Sequence, residues 1–225
     1  NIAWLDWTAG NFISSNRNTG VMKVWNASQK HPIETFRVSS DGISQCLMIP
    51  GSKRLMCASI EGQISVYHVG NRQTEFSLPT SHTETIFDCI FSRNNPNIFA
   101  SSSYDGCVKI WNAQNLSLLK SLYTSDSIVY KIEWNHDDRV IIGSTFRGTV
   151  VLWETKTGRE IAKYAHHSRP SYSVSWNRLD TSLICSGGGD GYLIVALVNV
   201  DKLLDMNSTS LGRGSRQEIS SPISE

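Results

Sequence analysis

Six polar residues set in otherwise apolar segments, Asp6, Gln45, Asp88, Lys131, Glu133 and Ser173, are the side chains of this chain best placed for acid–base chemistry. Such chemistry needs two groups that converge on one substrate in surroundings that push their pKa values apart. These six read as unequal strand positions with no repeated pairing, so no catalytic residue is expected. Adjacent His166 and His167 could begin a metal site. Neighbours on an extended strand point to opposite sides, however, and no Cys or carboxylate stands at ligand spacing. No metal and no other cofactor is expected. The run SGGGDG at 186–191 has the glycine content of a phosphate cradle. A cradle also needs a helix N-terminus and usually a lysine behind it, and the YLIVALV that follows reads as a strand.

Charge narrows the partners. With 21 basic and 20 acidic residues spread along the chain, the formal net charge is +1, and there is no basic field to hold nucleic acid or an anionic membrane. No apolar stretch approaches the roughly 18 residues that span a bilayer, so no membrane insertion is expected. The chain begins at Asn1 and enters a strand pattern at once, as expected of a fragment. Cys46, Cys57, Cys89, Cys107 and Cys185 are odd in number, lie in apolar segments and form no C-x-x-C pair. Free, buried thiols in a reducing, cytoplasmic compartment are the expectation.

The elements that must position any site follow from an internal repeat. Gly20, Gly62, Gly106, Gly148 and Gly191 recur at intervals of 42, 44, 42 and 43 residues, within the ~40–45-residue range of a four-stranded blade. Five residues after the first four glycines stand Trp25, Tyr67, Trp111 and Trp153; the fifth copy has Ala196 there. A second aromatic or apolar position precedes each glycine, and Trp7, Trp134 and Trp176 fill it in copies one, four and five. These aromatics recur among apolar neighbours and read as core, not as a base-stacking platform interleaved with cations. The third copy is the plainest: IFDCIF, NIFASSS, the turn YDG, CVKIWN, then LLKSLY. Its β-branched and aromatic content and its Asn, Pro, Asp and Gly turns argue for hairpins, and glycine suits a tight turn with positive φ.

At these residues the chain resembles the WD-repeat β-propeller family: SH at Ser81 and His82 stands for the usual GH, YDG fills the hairpin, and WN at Trp111 and Asn112 stands for WD. The resemblance implies an all-β, WD-type propeller of five four-stranded blades at about 1–38, 43–78, 86–123, 128–164 and 171–198. The fifth shows three strands before a polar, Ser-rich tail at 201–225, expected to lack packed structure. It also implies a larger ring of about seven blades, the remainder belonging to the parent chain. The family's hydrogen-bonded tetrad maps onto His82, Ser101, Asp105 and Trp111. Elsewhere it is incomplete: copy five keeps Ser186, Asp190 and His167 without the Trp, and copy four has Arg147 in the Asp place.

The function this implies is a non-enzymatic scaffold that holds other proteins inside a larger assembly, of the trafficking or ciliary kind. Loops held by a rigid scaffold are where binding resides, and Arg and Tyr are enriched at hot spots. The expected interaction surface is therefore Arg17, Glu61, Tyr104, Arg147, Arg169 and Tyr192. A propeller enzyme, or a regulatory subunit of one, is the competing class. Convergent acidic residues would mark it, and the sequence shows none.

Overall fold

The computed structural model describes residues 2–5, 9–126 and 128–209. Five antiparallel sheets follow one another along the chain. Blade one holds β1 (Ile2–Trp4), β2 (Asn11–Ser15), β3 (Val21–Asn26) and β4 (Glu34–Arg37); blade two β5 (Ile43–Met48), β6 (Arg54–Ser59), β7 (Ile64–His68) and β8 (Gln73–Leu78). Blade three holds β9 (Ile86–Phe91), β10 (Ile98–Ser103), β11 (Cys107–Asn112) and β12 (Leu118–Tyr123); blade four β13 (Val129–Trp134), β14 (Val140–Thr145), β15 (Thr149–Glu154) and β16 (Glu160–Ala165). Among the described residues blade five has three strands, β17 (Ser171–Trp176), β18 (Leu183–Gly188) and β19 (Leu193–Leu197), and α1 (Val200–Thr209) follows. This is the all-β, bladed fold the repeat implied.

Strand alternation makes each blade two-faced. In β10 and β11, Phe99 and Trp111 pack on Met56, Ala58, Ile64 and Val66 of blade two. Their neighbours Ala100, Val108 and Ile110 pack on Ile132, Trp134, Ile141 and Trp153 of blade four. The joint of blades one and two buries Ile13, Met22 and Val24 against Ile43, Leu55 and Tyr67; that of four and five buries Ile142 and Leu152 against Val174, Trp176 and Ile184. Trp153 is completely buried, whereas Trp25, on the outer face of blade one, is half-buried. Innermost strands also touch in sequence: β1 with β5, β5 with β9, β9 with β13 and β13 with β17.

Two expectations change here. Trp7, like Asp6, lies outside the described residues, and the register place meant for it belongs to Trp4. Trp4 stands opposite Phe12 and Phe12 opposite Trp25, as Trp134 stands opposite Ile141 and Ile141 opposite Trp153. The hairpin between β2 and β3 is longer than the YDG turn, which shifts any count made back from the glycine. The tail expectation fails for 201–209, which form α1; residues 210–225 lie outside the described residues. Asn199 caps the helix, its side chain accepting the Lys202 N–H at 2.9 Å. Val200, Leu203 and Leu204, on one helical face, pack on the core of blades four and five. Arg139 pairs with Asp201 at 2.7 Å.

The repeating glycines hold the blades together. Gly20, Gly62, Gly106, Gly148 and Gly191 all have φ between 60° and 84°, and at the joints the next loop comes close. The Gly62 carbonyl accepts the His82 N–H at 2.9 Å, and the Gly148 carbonyl accepts the His167 N–H at 2.9 Å. A Cβ on Gly148 would lie 2.2 Å from the His167 carbonyl oxygen, and one on Gly62 2.3 Å from that of His82. At Gly191 a Cβ would meet nothing within 4 Å.

The five thiols are free. Cys89 and Cys107 are separated by β10, and the directly opposed pair is Cys46 and Cys57 across β5 and β6. The Cys57 thiol is pushed up by its hydrogen bond to Cys46 and by burial.

Two measurements test this account. Alanine at either Gly148 or Gly191 takes the left-handed backbone penalty of about 1–2 kcal/mol. Gly148→Ala must in addition displace the His167 carbonyl, so its urea midpoint is expected to fall clearly further; equal losses would refute the clasp. The second concerns the end blades, where Ile2 and Trp4 (67% and 62% exposed) and Leu193, Val195 and Leu197 (72%, 62% and 76%) present apolar side chains to water. The 225-residue chain is expected to self-associate through such patches. Light scattering against concentration should show this growth, reduced by Leu193→Lys with Val195→Lys; a monodisperse monomer at every concentration contradicts it.

Candidate interaction face

His82, in the loop entering blade three, lies between two partners. Its Nδ1 is 2.8 Å from the Asp105 carboxylate and its Nε2 2.7 Å from Ser101 Oγ, and Trp111 Nε1 donates to the same oxygen at 2.8 Å. Asp105 also accepts the N–H groups of Cys107 and Thr83. Burial pushes the Asp105 carboxyl up, but the His82 hydrogen bond, the His82 charge and the two N–H groups outweigh it and bring it down to about 2. Burial lowers the His82 imidazole below its ordinary value, against the pull of Asp105. The ring is therefore neutral at pH 7, and its contact with Asp105 is a hydrogen bond to a carboxylate, not an ion pair. Polarity runs one way: Trp111 N–H to Ser101, Ser101 O–H to His82 Nε2, His82 Nδ1–H to Asp105.

Serine, imidazole and carboxylate in this order have the connectivity of a nucleophilic triad. Ser101 is 0% exposed, and its oxygen already takes the indole N–H, so no substrate carbonyl can reach it. The chain stiffens the blade, since a buried carboxylate without partners would be costly.

Blade five uses the same wiring with one exchange. His167 bonds Asp190 at 3.0 Å and Ser186 at 2.9 Å, and in place of the missing indole His166 Nδ1 reaches Ser186 Oγ at 2.9 Å. The two adjacent histidines thus converge on one atom, against expectation. The chain has left the strand there, and a tight turn closed by His166 N–H to the Tyr164 carbonyl at 3.1 Å brings both rings to one side. Among the described residues no cluster of three or more metal-ligating side chains occurs.

Other blades keep parts of the pattern. In blade one Trp25 Nε1 donates to Ser14 Oγ at 2.8 Å, and Ser14 sits opposite Lys23 as Ser101 sits opposite Lys109. In blade four Asp126, from the entering loop, takes Thr149 and Lys163, while Trp153 Nε1 donates to the Tyr123 carbonyl at 2.8 Å. A sequence comparison by residue type misses both; the serine at the matching register was the available signal in blade one.

The polar residues of the innermost strands are not at unequal positions. Gln45, Asp88, Lys131 and Ser173 are each the third residue of their strand, and Glu133 alone departs. Three of them form a ladder across blades: Gln45 Nε2 donates to Asp88 at 3.2 Å, and Lys131 Nζ to the same oxygen at 3.1 Å. Asp88 also accepts the Ile132 N–H. Burial pushes the Asp88 carboxyl up, with Lys131 opposing. Glu133 accepts the Trp176 N–H at 2.9 Å. These contacts tie one innermost strand to the next.

Just above this ladder, each innermost strand of blades two to five carries a β-bulge, with one extra residue unpaired by its neighbour strand. Those residues are Ser44, Phe87, Tyr130 and Tyr172. A bulge re-aims its side chain, and the three aromatics line up: Phe87 to Tyr130 centroids are 5.0 Å apart, Tyr130 to Tyr172 5.2 Å. Tyr104 joins Phe87 at 6.3 Å, and the Arg17 guanidinium lies over the Phe87 ring at 5.9 Å. Gly189 sits against both Tyr172 and Arg169. All six residues expected at the interaction surface are exposed at this end of the blades. Tyr104 and Arg17 contact Phe87, and Arg169 adjoins Tyr172 across Gly189. The row itself was not foreseen.

Sheet order, hairpin glycines and the His82 chain define WD-type propeller blades. Comparison with known proteins agrees. Residues 73–112, from the outer strand of blade two through β11, match the family described as WD domain, G-beta repeat. The chain is similar to the WD repeat-containing protein 91 homolog of Dictyostelium discoideum, 26% identical over 192 residues, covering 82% of this chain and 24% of that protein. It is similar to the F-box-like/WD repeat-containing protein TBL1X of Homo sapiens, 25% identical over 115 residues, with 51% and 19% covered. It also resembles the histone-binding protein MSI1 of Saccharomyces cerevisiae, 26% identical over 190 residues, with 78% and 45% covered. The chain thus spans less than half the length of these relatives.

The hydrogen-bonded chain makes a pH prediction. An imidazole lowered by folding binds its proton more readily in the unfolded chain, so its contribution is full above the ordinary value of 6.5 and declines as pH falls below it. Asp105 acts in the same direction: its contribution is present above 3.8 and is lost as pH falls through about 2. Urea midpoints are expected to drop from pH 7 to pH 5, and His82→Gln, less stable at pH 7, should show a shallower drop. Parallel profiles would remove His82 from the account.

Proposed function

We propose that the chain is a non-enzymatic protein-interaction scaffold, a WD-repeat module within a larger assembly, and that the hairpin end of its blades is the docking face. The observation that carries this reading is the aromatic row of the bulges, half-buried at Phe87 and Tyr130 and exposed at Tyr172, with the exposed Arg17, Tyr104 and Arg169 beside it. A rigid frame that presents aromatics and arginines from loops is how hot spots are built. The relatives support it in kind: one is named for binding histones and another for combining WD repeats with an F-box-like part. Among the described residues no helix is long and apolar enough to cross a membrane, and the near-neutral charge does not favour nucleic acid.

More narrowly, the stretch HTETIFDCIFSRNNPNIFASSSYDGCVKIWN at 82–112 resembles WD repeat-containing protein 17, and with it we place the chain in a cytoplasmic assembly of the trafficking or ciliary kind. Free thiols throughout suit a reducing compartment.

Affinity capture with quantitative mass spectrometry tests the face. Partners held by the wild-type protein are expected to be lost on combining Arg17→Glu, Tyr104→Ala and Arg169→Glu, three exposed changes that leave the melting curve in place. Retention of the same partners by a folded variant would move binding elsewhere.

A further inference from the structure

The two ends of the blade array carry the two halves of a joint that is already closed inside the molecule. In blade three Ala100 precedes Ser101 and stands opposite Ile110, with Ser102 opposite Val108 on the same face. In blade five Cys185 precedes Ser186 and stands opposite Val195, with Gly187 opposite Leu193. Ala100, Val108 and Ile110 are buried with Trp134, Ile141 and Trp153 of blade four. Their counterparts face away from blade four: Leu193 and Val195 are exposed and Cys185 is half-buried.

The other half stands on blade one, on the face turned away from blade two. Trp4, Phe12 and Trp25 hold there the register places of Trp134, Ile141 and Trp153. Trp4 is exposed and the other two are half-buried. Phe12 stacks on Trp25 at 6.3 Å and 10°, as Phe99 stacks on Trp111 at 6.3 Å and 15° in the closed joint of blades two and three. Ile2, also exposed, continues this face opposite Ser14.

Charge does not oppose bringing the two faces together. Across its strands the blade-five face is uncharged: Leu193, Val195 and Leu197 stand opposite Gly187, Cys185 and Leu183, and Ser173 and Ser175 complete it on β17. Blade one adds Lys23 and Arg37 at its hairpin end, beside Arg17. Arg37 donates to the Thr19 carbonyl at 2.8 Å, and Arg17 lies over the Phe87 ring. Lys23 lies over Trp25 at 6.0 Å, as Lys109 lies over Trp111 at 5.9 Å inside a closed joint. A lysine in this place is therefore compatible with burial of the aromatic beneath it.

Within one chain both faces are open to water, so they do not meet. Exposed apolar patches of this kind mark association sites, and a second copy supplies the missing half of each. We infer that blade one of one copy receives blade five of another, Leu193 and Val195 packing on Trp4, Phe12 and Trp25 as Val108 and Ile110 pack on Trp134, Ile141 and Trp153. The patches differ, so the contact is head to tail and leaves one free face at each end of any pair. Self-association is then directional, and it does not involve the hairpin end.

Sedimentation velocity under reducing conditions, with each face blocked in turn, tests the direction. Leu193→Lys with Val195→Lys blocks blade five, and Ile2→Lys with Trp4→Lys blocks blade one; all four side chains are exposed. Each variant alone is expected to associate at least tenfold more weakly than the wild type, whose assemblies grow past the dimer. An equal mixture of the two should form a dimer of wild-type affinity and stop there, because one intact blade-one face meets one intact blade-five face. If the double change on blade one lowers the melting temperature, Ile2→Lys alone serves. A wild type that remains monomeric or stops at the dimer overturns the head-to-tail joint. So does a mixture no more associated than its components, or a loss of association that follows from only one of the two blocks.

Discussion

Each interior joint that can be followed depends on one close approach: a hairpin glycine of one blade lies almost in contact with backbone carbonyls of the loop that leads into the next. At Gly62 and Gly148 the glycine carbonyl also accepts an N–H from that loop, and at Gly20 the carbonyls of Ser39 and Asp41 lie where a Cβ would stand. Any side chain would push the loop away, and at Gly62 and Gly148 with it the histidine that the loop carries. Positive φ is thus only half of why glycine recurs; the other half is that a neighbouring blade occupies the space. Gly191, with nothing close to it, has only the first requirement.

What the clasp places, the polar chains then lock. His82 and His167 follow directly from clasped loops and reach down to Ser101 and Ser186 in the second strands. The chemistry varies between blades while the task stays the same. An indole N–H serves Ser101, a second imidazole serves Ser186, and in blade four a threonine pair and Lys163 gather around Asp126. Buried polar groups must be satisfied, but the structure is tolerant about which residues do it. Family motifs read by residue type therefore fade in most blades while the architecture persists.

On this rigid base the bulges act locally. One added residue in an innermost strand turns its side chain out of the ladder without disturbing the core behind it, because Gln45, Asp88 and Lys131 tie the strands together one position further on. A partly exposed aromatic row can then be carried at little cost to stability. Loops and bulges are thus free to vary while the joints bear the load of folding, a division expected of blades stacked in one dimension.

Period, strand number in the interior blades, hairpin turns and the core aromatics were legible from the sequence, because each rests on local spacing: glycine at a turn, alternation along a strand, a tryptophan at a fixed distance. His82, Ser101, Asp105 and Trp111 could be picked out for the same reason. Legibility ended where position depends on pairing between strands or blades. Trp4 holds the place meant for Trp7 because the hairpin between β2 and β3 is longer; His166 joins His167 on Ser186 because a turn reverses the chain; and Val200, Leu203 and Leu204 become a helix face because blades four and five offer them a surface. Phe87, Tyr130 and Tyr172 are ordinary strand residues in the sequence. Only the register, which leaves each without a partner across the sheet, brings them side by side at the rim.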